Sequence, residues 1–106
     1  MNPGLLNRRL VLEAPVETPD ESGGVIRDYE AVATLWASVT PLAAHERGEA
    51  DRQGANVTHR IVLRFRNDLT TRHRLRAGER LFRIVALRDQ DGAARFLEIE
   101  AEERLA

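Results

Sequence analysis

The chain has 106 residues, a formal net charge of −1 and no cysteine. That length suits one domain with a modest core, and the missing thiols exclude disulfides, thiolate metal sites and cysteine nucleophiles. A near-neutral balance supplies no global field toward nucleic acid, no apolar run approaches the roughly 20 residues of a membrane span, and "MNPGLLNRRLVLEAP" lacks a signal-peptide apolar core, so a soluble chain made in a reducing cytoplasm is expected.

In chain order, "RRLVLEA" (8–14) alternates, with Leu10 and Leu12 on one side and Arg9 and Glu13 on the other. That spacing predicts a strand, ended by Pro15. "PVETPDESGG" reads as a turn-rich connector, and "GVIRDYE" as the second strand of a loose hairpin. "VATLWASVT" predicts a third strand. Leu35, Ala37 and Val39 lie on one face of it, Val32 and Trp36 on the other. A strand apolar on both faces suits a closed barrel with something packed outside it, or a protein interface.

"NVTHRIVLRFR" has the clearest alternation, with Ile61, Leu63 and Phe65 against Arg60, Arg64 and Arg66. "NDLTTRHRLRAG" reads as a connector and "ERLFRIVALRD" as the fifth strand. Asp91-Gly92 signals a hairpin turn. "ARFLEIEAEE" returns with Leu97, Ile99 and Ala101 inward and Glu98, Glu100 and Glu102 outward. The expected fold is mainly β: a small single-domain antiparallel β-barrel or sandwich of about six strands.

Between the third and fourth strands stands a polar insert, residues 41–56. "PLAAHERGEADRQG" contains helix formers, but Gly48 interrupts them and no apolar stripe would hold a helix to the core. A long projecting loop, partly helical or disordered, is expected. Loops of this length in compact domains are usually functional or disordered.

Candidate chemistry is sparse. His45 and Glu46 are adjacent in a polar segment with no further ligand at a metal-binding spacing. His59 falls on the Ile61 side of its strand, at the barrel rim. His73 sits between Arg72 and Arg74, whose charge disfavours a metal cation. There is no phosphate-binding glycine loop and no nucleophile elbow. No catalytic residue, cofactor or metal site is expected, and an enzyme such as a toxin-like or nuclease barrel is disfavoured.

All 16 basic residues are arginine, and they segregate. Residues 60–88 hold nine arginines against Asp68 and Glu79, whereas residues 13–51 hold nine acids against Arg27 and Arg47. One reading is a nucleic-acid face built on Arg60, Arg64, Arg66 and Arg83. It lacks the interleaved surface aromatics that single strands stack on. Another is a solvated face, or arginines paired with a neighbour's acids. A third is a head-to-tail subunit contact of a basic on an acidic face, with Trp36, Arg60, Arg64, Arg66, Glu98 and Glu100 at the interface.

The ordered series "LNRRLVLEAP", "DESGG", "LWASVTPL", "THRIVLRFR", "LRAGERLFRI", "DQDG" and "LEIEAEE", with Glu46 or Glu49 in the insert, resembles the bacteriophage head–tail adaptor family. Its members are also called head-closure, head-completion or stopper proteins of long-tailed phages, with relatives in prophages and gene transfer agents. The resemblance implies a small barrel that forms a homo-oligomeric ring, with a portal or adaptor above and a tail terminator or tail tube below. It implies assembly in the cytoplasm of a bacterial host, residence in the neck of a virion or virion-like particle, and no cofactor or membrane. The isolated chain is expected to be monomeric. The insert, with His45, Glu46, Arg47, Glu49, Asp51 and Arg52, would be the channel or partner loop. Its acids would repel packaged double-stranded DNA in transient contact, while Arg47 and Arg52 pair with acids of adjacent subunits.

Overall fold

The computed structural model describes residues 5–43 and 56–105. The described residues are nearly all strand: β1 (Arg8–Pro19), β2 (Val25–Pro41), β3 (His59–Arg64), β4 (Arg74–Ala77), β5 (Arg80–Asp89) and β6 (Phe96–Leu105). They close into an antiparallel barrel in the order β1-β2-β3-β6-β5-β4, with β4 pairing back onto β1. Within the barrel, closure removes the free sheet edges that a short chain would otherwise expose.

About six strands were expected and six are present among the described residues, but two assignments change. The second and third predicted strands are one 17-residue strand, β2. The connector after residue 66 contains β4, whose Leu75 is fully buried opposite Leu12. Pro15 does not end β1, which continues to Pro19. Both prolines lie beyond Glu13, where β1 pairs only with β2 and its other edge is open, the position in a sheet that tolerates a missing N–H. Pro41 belongs to β2 and pairs with His59.

The barrel interior is aliphatic. Leu10, Leu12, Ile61, Leu63, Ile84 and Ile99 are buried around Phe82. Two bulges keep the alternation in phase with closure. One leaves Val32 as the extra residue of β2 opposite Leu12 and Glu13, and the other leaves Val85 extra on β5. After Val85 the inward set shifts parity, so Leu87 packs on the core and Arg88 faces out. Phe65, expected inward, lies past the end of β3 and is more than a third exposed. A second, smaller cluster lies outside the barrel wall, where Leu6 and Phe96 cover Val62.

Beyond Glu13 and Ala31 the β1–β2 pair leaves the barrel as a two-stranded arm. Its tip is capped by Asp20, whose Oδ1 accepts from the N–H groups of Ser22 and Gly24 at 2.9 and 2.8 Å, with Gly23 at φ 86°. The molecule measures 49 × 29 × 27 Å. The long dimension exceeds the others by about the reach of six strand residues at roughly 3.3 Å each.

Candidate functional site

Three outward features surround this barrel. The first is the pair of stems that carry the insert. Leu42 and Val57 are buried, and the Leu42 N–H donates to Thr58 O at 3.0 Å. Thr58 is bound in turn to β6: its N–H donates to Ala101 O at 2.9 Å, and its hydroxyl accepts from the Glu103 N–H at 2.8 Å. Asn56 N–H reaches Glu102 at 3.3 Å. The stems therefore leave and enter the barrel side by side. His45, Glu46, Arg47, Glu49, Asp51 and Arg52 lie outside the described residues.

His59 sits at that end of the barrel on the Ile61 side, as its spacing implied. It is buried edge-on against Phe82, with ring centroids 5.3 Å apart, and its Nε2 is 3.7 Å from Glu103. Arg80 clamps Glu103 at 2.5 and 3.2 Å, and this hydrogen bonding is the main reason the Glu103 carboxyl titrates below the usual range.

The second feature is the Trp36 patch. Trp36 is 57% exposed on the outer face of β2, with the Arg9 guanidinium 5.7 Å from its ring centroid. Arg64 lines the shallow grooves on both sides of it. Leu5 is also exposed, as is Val32 on the same strand.

The anticipated arginine ladder divides. Arg60 lies 3.7 Å from Glu98, which is buried and also meets Arg88 of β5. Arg66 falls outside β3 and folds back onto Asp68 in a bidentate pair at 2.9 and 2.7 Å, pulling the Asp68 carboxyl below its usual range. Glu100 is half-buried opposite Arg60. Of the four arginines considered for nucleic acid, Arg64 and Arg83 alone make no ion pair among the described residues. They sit on β3 and β5, separated by β6. The geometry brings Arg60, Arg88 and Glu98 together across three strands and leaves Trp36 and Arg64 as a separate patch.

The third feature was not anticipated. A cleft of about 350 Å³ lies where the arm meets the barrel, lined by Pro15, Tyr29 and Leu81 and by five arginines: Arg27, Arg72, Arg74, Arg83 and Arg104. Arg74 stacks on Tyr29, its guanidinium carbon 3.7 Å from the ring centroid, and donates to the buried Glu13 at 2.6 Å. The alternation Arg74-Leu75-Arg76 was the available signal, with Leu75 inward and both arginines outward on Glu13.

Among the described residues no group of acidic or histidine side chains is arranged to hold a metal. The fold and surface define a small closed barrel with a packed interior and three outward features, the insert stems, the Trp36 patch and the arginine cleft. A family model for phage head completion proteins matches residues 1–104, and the chain belongs to that family. It is similar to the solution structure of protein SF1141 from Shigella flexneri 2a, with 30% identity, TM-score 0.76, and 97% of this chain and 96% of that one covered. It is also similar to a chain in the virion of a native gene transfer agent particle, with 33% identity, TM-score 0.69, and 94% and 96% covered. Among curated proteins none matches it.

Proposed function

We propose that this protein is a non-enzymatic neck component of a phage-type particle, forming a ring of identical subunits that joins the DNA-filled head to the tail. The observation that carries this reading is the family match over residues 1–104, supported by the likeness to a chain of a gene transfer agent virion. The portal or an adaptor would lie above the ring, and a tail terminator or tail tube below. No bond is made or broken. Many weak contacts, engaged at once, hold two machines together.

In this reading the insert is the moving part, closing the DNA channel or meeting a neighbouring ring. The paired stems support it, because Leu42 and Thr58 are tied to each other and to β6 on the barrel side of the insert. Deleting residues 43–54 is expected to leave the barrel folded and to yield particles that leak DNA or fail to join tails. Normal titres of DNA-filled, tailed particles would refute the role assigned to the insert.

A further inference from the structure

The arginine cleft has too few anions of its own. Glu13 accepts from both Arg74 and Arg76, and Glu17 from both Arg27 and Arg72. Glu102 binds Arg104 and also faces Arg83, its partner in the β5–β6 register. Glu13 and Glu17 are thus each shared by two guanidinium groups, while Arg83 stands near Glu102 without an ion pair among the described residues. The cleft is therefore an anion site with positive charge in excess, floored by the apolar surfaces of Pro15, Tyr29 and Leu81.

The arm that overhangs it has the complementary composition. Residues 14–30 carry five acids and one arginine. At the tip, Asp20 is engaged by its own turn, while Glu21 is exposed and has no hydrogen bond or ion pair among the described residues. Next to it, Val25 and Ile26 are 60% and 58% exposed. Arg27, the cleft residue nearest the tip along the arm, is already held by Glu17, whereas the base of the arm at Pro15 is five residues from Asp20, or about 17 Å at strand spacing.

We propose that the arm tip of one subunit docks into the arginine cleft of a second copy of this chain, with Glu21 meeting Arg83 and Val25 and Ile26 covering Tyr29 and Leu81. The donor residues Glu21, Val25 and Ile26 and the acceptor residues Arg83, Tyr29 and Leu81 are different surfaces. The contact is therefore heterologous, and repeated copies propagate head to tail until they close. This deepens the ring reading above and rests on it.

The cysteine-free chain permits a direct test. Chains carrying E21C and chains carrying R83C, distinguished by size, are mixed at high concentration and oxidised. Preferential E21C–R83C bonds are expected, with a ladder of oligomers from the double variant. Charge exchange supplies a second measurement. E21R or R83E alone should raise the concentration needed for assembly about tenfold or more, and the two together should restore it. Equal cross-linking in all pairings, with rings still visible on particles, overturns this contact and leaves the ring reading standing. Absence of any oligomer in particles overturns both. Salt-sensitive retention of duplex DNA, lost in R83E and without the mixed bond, assigns the cleft to nucleic acid and overturns the contact.

Discussion

The barrel and the arm are built from the same two strands, yet they differ in almost every physical respect. Within the barrel, β1 pairs on both sides, and Leu10 and Leu12 are fully buried. Past Glu13 the same strand pairs on one side only, and the arm leaves Val25 and Ile26 in solvent. A two-stranded ribbon without a packed face is marginal by itself. The difference teaches where the stability lies: the closed part holds the packed core, and the open part leaves apolar side chains in solvent, the surface that the proposed contact would use.

The largest effect should come from the barrel interior. Phe82→Ala removes the central side chain and should cost about 3–5 kcal/mol in chemical denaturation, a large share of the ~5–15 kcal/mol available to a domain. An effect below 1 kcal/mol would mean that the core is not organised around Phe82. Next comes the junction. Glu13→Ala leaves Arg74 and Arg76 without their shared carboxylate, and a loss of about 1–3 kcal/mol is expected, moderated by the partial exposure of both arginines. Phage or particle yield should fall with it, because the base of the arm loosens.

Acid should act on the barrel surface more gently. Glu103 is held below its ordinary range first by its hydrogen bonds to Arg80, and Glu102 by its bond to Arg104. A depressed folded-state carboxyl adds stability above the unfolded value of about 4.3, and that stability is lost as pH falls through the folded value. Unfolding free energy should therefore decline below about pH 4, and Glu103→Gln should flatten that decline. An unchanged slope in the variant would remove Glu103 from the account. The smallest effect on stability is expected outside the barrel. Trp36→Ala and Ile26→Ser should each change it by less than about 0.5 kcal/mol. Both should nevertheless reduce incorporation into particles, measured by the protein content of purified heads.

Much of the barrel was legible in the sequence because period-two alternation survives wherever one face is buried. Ile61 and Leu63 on β3, and Leu97, Ile99 and Ala101 on β6, follow it without interruption. The alternation failed where a bulge or an open edge intervened. Val32, extra in the β2 register, made one long strand look like two, and Pro15 looked like a stop because the open edge that tolerates it is a tertiary fact. β4 was hidden by its length of four residues and its two arginines. The segregation of charge along the chain was real, but its meaning was not readable. Whether Glu98 faces a neighbour or binds Arg60 and Arg88 depends on strand order, which no local pattern encodes. The arginine cleft escaped for the same reason, since its walls come from residues as distant as Arg27 and Arg104.

The most direct test of the comparison is amide hydrogen exchange on the chain alone and on the chain assembled in particles. Barrel amides of β3 and β6 should be protected in both. Arm amides between residues 14 and 30 should exchange rapidly in the isolated chain and become protected on assembly. Equal protection of the arm in both states, or an arm that stays unprotected in the particle, would contradict the division of labour between closed barrel and open arm.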